Sequence, residues 1–288
     1  MKLVASSKLR KAQRTIEALR PYEEALSEIV ASLRVSGSVF ADTPEAPENR
    51  GKVASGVSAE AASKFASDER AEADSGKVAV VAISSNSSLC GGFNSTVIKK
   101  ALEVAGRYAN VEVVSLGRKM AEAMKKAGYP AAVDYTELVA HPSFDKTAEL
   151  VRDLAGKFDS GELSKVILVY NHFVSTAKQV SVEEVFLPFD SAALGCAAAS
   201  SDNVEEDYIL EPSAKEMLES LLPRVMRLKL HTAVLDSAAA EQAARTVAMQ
   251  TATDNAEDLL GELTLEYNKG RQQKITSEIL DLLGGSAQ

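Results

Sequence analysis

The most constraining feature of this chain lies at its C-terminal end. From Ser213 a three-four apolar seam runs through Leu221, Val225, Leu228, Thr232, Leu235, Ala239, Gln242, Thr246, Met249, Thr253, Ala256, Leu260, Leu263 and Tyr267, the period of a helix that packs along a partner. After a shift of register Ile275 and Ile279 continue it, and only Gly284-Gly285 supplies a stop. Ser213 and Glu216 form a capping box at the start. Pro223 is expected to kink the first turns. About 70 residues at 1.5 Å each give a helix roughly 105 Å long, far beyond the three or four turns of an average globular helix. Such a helix must pack against something equally long or protrude.

The stretch EQAARTVAMQTATDNA, residues 241–256, holds only two apolar side chains larger than alanine, Val247 and Met249. The seam is therefore bulky at its ends and small or polar in its middle. Small side chains permit close approach of a neighbouring helix and are expected to leave a smooth, polar outer surface.

The other end of the chain supplies a neighbour. Leu9, Ala12, Ile16, Leu19, Glu23, Leu26, Val30 and Leu33 alternate spacings of three and four, with Glu23 the one charged intruder. Pro21 should kink this helix or start a new one, and the block ends near Ser36-Gly37. The expected arrangement is an antiparallel coiled coil of the two chain ends, with everything between them inserted.

Within the insertion, residues 41–76 are rich in Ala, Ser, Glu and Asp, hold Pro44 and Pro47, and read as flexible, with one weak helix at most. Residues 77–195 alternate strand and helix signals: strands at 77–83, 111–116, 166–170 and 180–187, and helices at 95–105, 118–127 and 146–158. That order implies an α/β fold with a largely parallel, Rossmann-like sheet. The domain boundaries are then 1–36 for the first helix, 37–76 for the flexible insertion, 77–195 for the α/β domain, 196–212 for a linker and 213–288 for the second helix.

Composition narrows the function. The net charge of -9 argues against general nucleic-acid affinity. Residues 1–34 nonetheless carry seven Lys and Arg against four Glu, either a solvated helix face or a cationic collar for an acidic partner. No apolar run approaches the roughly 18 residues that cross a bilayer, and MKLVASSKLRKAQ lacks the apolar core of a secretory signal. Cys90 and Cys196 stand far apart without a CxxC pattern, so neither a disulfide scaffold nor a zinc site is indicated.

The segment most like an enzyme's is SSNSSLCGGFN, residues 84–94, at a strand-to-helix junction where open α/β sheets bind ligands. It lacks the lysine of a phosphate loop and the GxGxxG of a dinucleotide loop, so a tight structural turn is the first reading and a ligand loop the second. Cys90 reads as a small buried thiol. His141, His172 and His231 have no metal-binding spacing, and Arg118-Lys119 after Gly117 reads as helix surface before anion site. No catalytic residue, cofactor site or metal site is expected.

Several motifs carry a family likeness, in order along the chain: MKLVASSKLRKAQ with Arg20-Pro21-Tyr22; Leu89-Cys90-Gly91-Gly92-Phe93-Asn94; Tyr170-Asn171-His172-Phe173-Val174-Ser175-Thr176; Tyr208-Ile209-Leu210-Glu211-Pro212; EQAARTVAMQTATDNA; Leu263-Thr264-Leu265-Glu266-Tyr267-Asn268-Lys269; and residues 271–279, RQQKITSEI. The chain resembles the gamma subunits of F-type ATP synthases, the central shafts of the rotary motor. The resemblance implies a coiled coil in the bore of a ring of three alpha and three beta subunits, and a foot docked on the membrane c-ring together with epsilon. It further implies a peripheral subunit on the cytoplasmic face of a bacterial inner membrane, one that couples proton transport to ATP synthesis by conformational change, without chemistry of its own. It places Arg245, Arg271, Gln272 and Thr276 on the face that touches alpha and beta, with Lys8, Arg10 and Lys11 on the facing helix, suited to acidic loops of beta. A shaft turning in a sleeve would also account for the small side chains of residues 241–256, because interlocked knobs would resist rotation.

Three departures from the family pattern stand out. The family has about twenty more residues before the position of Met1, about 30 Å of helix. Ser87-Ser88 replace an arginine and a glycine, and residues 41–76 are longer than the usual connection. Two other readings remain at this point: a stand-alone α/β ligand-binding protein using the 84–94 loop, and a coiled-coil scaffold unconnected with ATP.

Overall fold

The computed structural model describes residues 2–39, 76–129, 135–188 and 213–285. Residues 40–75 of the expected insertion, residues 189–195 of the expected α/β domain, the 196–212 linker, Cys196 and the 208–212 motif lie outside them.

Helix α1 (Lys2–Val39) runs unbroken through Pro21 and past Gly37, so Pro21 does not start a new helix. Pro21 lacks an amide hydrogen for one backbone bond. The packing of Leu19, Leu26 and Val30 on either side of it sustains the helix all the same. Seven further elements form the α/β unit: β1 (Lys77–Ile83), α2 (Phe93–Ala105), β2 (Val111–Leu116), α3 (Arg118–Lys126), α4 (Thr136–Ala140), α5 (Phe144–Asp159) and β3 (Leu163–Phe173). Strand β4 (Gln179–Leu187) completes it, and α6 (Ala214–Gly285) is one helix of 72 residues through Pro223. At its start the Ser213 half of the expected capping box is in place, Ser213 Oγ accepting from the Glu216 amide at 3.3 Å.

The strands lie in the order β2-β1-β3-β4, with β1 parallel to both neighbours and β4 antiparallel to β3. Alternation along β1 divides the core. Val78, Val80 and Ala82 face α2 and α3 through Val97, Ala101, Val104, Met120 and Met124. Ala79, Val81 and Ile83 belong to a larger core with Leu150 and Leu154 of α5, Val225, Leu230 and Val234 of α6, and Leu26 and Val30 of α1.

The two long helices are antiparallel. Lys2 hydrogen-bonds Gln250, Leu9 packs on Ala239 and Ala243, and Leu26 and Val30 share a core with Val225 and Leu228. The charged intruder Glu23 is half-buried at this seam. Burial raises its carboxyl's pKa, and the nearby Thr232 hydroxyl and Lys229 ammonium oppose the rise.

Residues 225–244 of α6 are buried on nearly every side, because α1 covers one face and the α/β unit another. From Thr251 to Leu282 every residue is exposed, a length of about 48 Å. The expectation of a smooth outer surface over the small-residue middle is therefore corrected for 241–244, where Ala243 packs on Leu9 of α1 and Ala244 on Cys90 and Phe93.

Candidate functional site at the shaft and domain junction

The loop after β1 meets the middle of α6. Strand order reverses around β1, since β2 lies on one side of it and β3 on the other; that reversal marks the crevice where open α/β sheets take ligands. Here its polar groups are spent internally. Ser84 Oγ accepts from the Met120 amide at 2.9 Å, Ser85 O from Lys119 at 3.2 Å and Asn86 Oδ1 from Arg118 at 3.0 Å, so the loop satisfies three first-turn amides of α3 that an anion would otherwise claim. Asn94 Oδ1 accepts from both the amide and the hydroxyl of Ser85, and Asn94 Nδ2 lies 3.1 Å from Cys90 Sγ. Asn86 Nδ2 donates to Thr136 O at 2.8 Å.

Glycine is required at one point. Gly117 sits at φ +101°, where a Cβ would come within 2.4 Å of Ser84 O.

The loop presents a small apolar face to the shaft. Cys90 and Phe93 pack with Ala240 and Ala244, bordered by Phe173, and a Cβ on Gly91 would stand 3.7 Å from that of Ala248. Cys90 is buried, in keeping with the small-thiol reading. The structural-turn reading of 84–94 thus accounts for the loop, and the crevice is filled by α6.

Polar clasps flank this alanine contact. Arg245 Nη2 donates to Glu241 Oε1 and to Ser87 Oγ, both at 2.7 Å. Ser87 is thus an acceptor for Arg245. On the other side of the alanines, Asp236 accepts from the Phe173 amide at 3.2 Å and pairs with His172 Nδ1 at 2.5 Å. Burial pushes the Asp236 carboxyl's pKa up, and these two partners counter it. Lys229 Nζ reaches Glu184 Oε1 at 2.7 Å. No spacing in the sequence pointed to Asp236, His172, Lys229 or Glu184, because each pair joins segments far apart in the chain.

The residues singled out from sequence fall in three places. Lys8, Arg10 and Lys11 are exposed on α1; Arg10 and Lys11 line a shallow groove with Leu3, Ser6, Arg14 and Ala18. Arg245 is mostly enclosed, its side chain 14% exposed. Arg271, Gln272 and Thr276 are exposed on the unaccompanied part of α6, with Thr276 Oγ1 donating back to Gln272 O at 2.8 Å. Arg245 and Arg271 are 26 residues apart on one helix, about 39 Å, so the structure does not bring them together. Among the described residues no helix is long and apolar enough to cross a membrane.

A sequence-family model described as ATP synthase matches residues 1–287. The chain is 41% identical to the ATP synthase gamma chain of Phocaeicola vulgatus, over 99% of this chain and 91% of that relative. It is 35% identical to the gamma chain of Flavobacterium johnsoniae, over 99% and 90%. Among solved structures it is similar to a chain of the Tetrahymena thermophila mitochondrial ATP synthase central stalk and c-ring, at a TM-score of 0.58 and 18% identity over 88% of this chain and 97% of that one. A chain of the Euglena gracilis enzyme gives 0.57 and 20%, over 98% and 94%; at such identities these likenesses speak to the fold. A matched family model over nearly the whole sequence, together with relatives at this identity, places the chain in the ATP synthase gamma-chain family.

Proposed function

We propose that this chain is the central-stalk rotor of an F-type ATP synthase and that it transmits torque without making or breaking bonds itself. The observation that carries the reading is the antiparallel pairing of the two chain ends on the α/β unit. Residues 225–244 of α6 are enclosed by α1 and the α/β unit, and the helix runs on past the α/β unit to Gly285. The α/β unit grips one end of the shaft and leaves the other end clear of it.

In this reading the exposed end enters a ring of three alpha and three beta subunits, and the α/β end joins epsilon and the membrane c-ring. Proton flow turns the c-ring, and the shaft's asymmetric surface makes contacts that differ among the beta sites at each angle. Those differences in contact free energy bias each site toward a different state. The complex lies on the cytoplasmic face of a bacterial inner membrane, with this chain attached through the c-ring.

Lys8, Arg10, Lys11, Arg271, Gln272 and Thr276 are the proposed contacts with the surrounding ring, all exposed. Arg245 belongs to the same proposed set, but to touch a partner it must release Ser87 or share its guanidinium. The test is reconstitution with cognate alpha, beta and epsilon subunits, recording assembly, ATP hydrolysis and rotation of a bead fixed to the α/β unit. Assembly with ATP-driven rotation is expected. Failure to join the alpha-beta ring would overturn the reading in favour of an unrelated scaffold.

A further inference from the structure

A rotor must not slip within its own foot. Bulky side chains of α6, Leu230 and Val234 among them, pack into the α/β core below the junction, but beside the 84–94 loop the contact is made of Ala240 and Ala244 against Cys90 and Phe93, and methyl groups give little interlock there against rotation of a helix about its own axis. Directional polar bonds do, because they weaken steeply once donor and acceptor swing out of line.

Three such contacts leave α6 for three different segments. Lys229 goes to Glu184 on β4, Asp236 to His172 and the Phe173 amide at the end of β3, and Arg245, braced by Glu241, to Ser87 after β1. Lys229 and Asp236 are seven residues apart and share a face. The 16 residues from Lys229 to Arg245 span about 24 Å of helix. Lys229, Asp236 and Glu241 are each 8% exposed, and in such surroundings charged hydrogen bonds are stronger than in water.

We propose that Lys229, Asp236 and the Glu241–Arg245 pair are positioning residues that fix the angle of the shaft helix relative to the α/β unit and carry torque between them. The proposal rests on the rotor reading above. It gives the alanine stripe and the clasps separate tasks: the alanines set the distance and the clasps set the angle.

The test uses the assembled complex with the ring of alpha and beta subunits fixed to a surface and a bead attached through Ser160→Cys on the α/β unit. Angular fluctuation of the bead is recorded with the motor paused. If the three clasps and the apolar core around Leu230 and Val234 act as four equal parallel springs, Asp236→Ala raises the angular variance about 1.3-fold, and adding Lys229→Met with Glu184→Gln raises it about twofold. Met124→Ala, which loosens the core on the far side of the sheet, leaves the variance unchanged. Unchanged variance in the clasp variants, or an equal rise in Met124→Ala, overturns the proposal. Should Asp236→Ala not assemble, the Lys229→Met, Glu184→Gln variant decides alone by the same criterion. A wild-type bead that never rotates under ATP would instead defeat the rotor reading.

Discussion

Ala240→Leu separates two explanations of the small-residue middle of α6. If the alanines exist only so that the shaft turns freely inside its surrounding ring, the isolated chain has no reason to object to a larger side chain. If they exist because two bodies close on the helix, the isolated chain must object. Ala240 is fully buried among Cys90, Phe93, Ala244 and Phe173. Leucine adds three carbons. Were there room for them, burial would stabilise the protein by about 0.8 kcal/mol each, near 2.4 kcal/mol in total. In an interior packed at crystal density there is no such room, and inserting methylenes costs about 1–3 kcal/mol. The two explanations therefore differ in sign as well as in size.

Urea unfolding of the isolated chain, followed by far-ultraviolet circular dichroism, gives the answer. Ala240→Leu should destabilise by about 2 kcal/mol, which lowers the melting temperature by roughly 4–8 °C for a chain of this size class. Ala252→Leu, at an exposed position on the same helix, reports the propensity change alone and should stay within about 0.5 kcal/mol. An Ala240→Leu chain as stable as the parent, defective only within the assembled motor, would refute the packing argument and restore the clearance argument for this position.

Other outcomes follow from single contacts. Gly117→Ala places a Cβ against Ser84 O at a positive φ and should cost at least about 2 kcal/mol in the same unfolding experiment; a loss under about 0.5 kcal/mol would mean that the turn relaxes. His231 lies edge-on to Phe144 with Nδ1 3.4 Å from Thr147 Oγ1, and burial lowers its pKa. Its contribution to stability is therefore complete above the ordinary histidine value near 6.5 and is lost as pH falls through the lower folded value, with a slope of at most about 1.4 kcal/mol per pH unit. His231→Phe should flatten stability measured from pH 7.5 to 5, and an unchanged slope would assign the acid sensitivity elsewhere. Replacing Arg271, Gln272 and Thr276 together by alanine, all exposed, should leave unfolding of the free chain within about 0.5 kcal/mol and reduce coupled ATP synthesis. Normal synthesis would remove them from the proposed contacts.

The fold was legible where periodicity is local. The seams from Leu9 to Val30 and from Val225 to Ala239 gave the antiparallel pair, and the apolar run of β1 gave a strand buried on both faces. Element ends were less legible: α2 begins at Phe93, with Gly92 at its N-cap, two residues before the expected start at 95, and β3 extends to Phe173 because its last residues pair with β4. The five-residue α4 carries too short a pattern to stand out. The clasps were not legible at all. Asp236 and His172 are 64 positions apart, and Arg245 and Ser87 are 158 apart, so only the folded chain brings donor to acceptor. Glu23 is the instructive case, since in the seam it read as a charged intruder, and only the fold sets Thr232 and Lys229 beside it.

The same geometry explains why an α/β sheet can serve a protein whose proposed work is mechanical. In an open sheet the loops around the strand reversal diverge and leave a crevice that commonly receives a ligand. Here Ser84, Ser85 and Asn86 spend their polar atoms on the start of α3, and Cys90 and Phe93 turn an apolar face outward to Ala240 and Ala244. The crevice has become a socket whose permanent occupant is the chain's own helix. A ligand pocket needs unsatisfied polar groups and a reversible fit, whereas a socket for a driven shaft needs satisfied groups and a fit that does not open. By that criterion the 84–94 loop suits the second task.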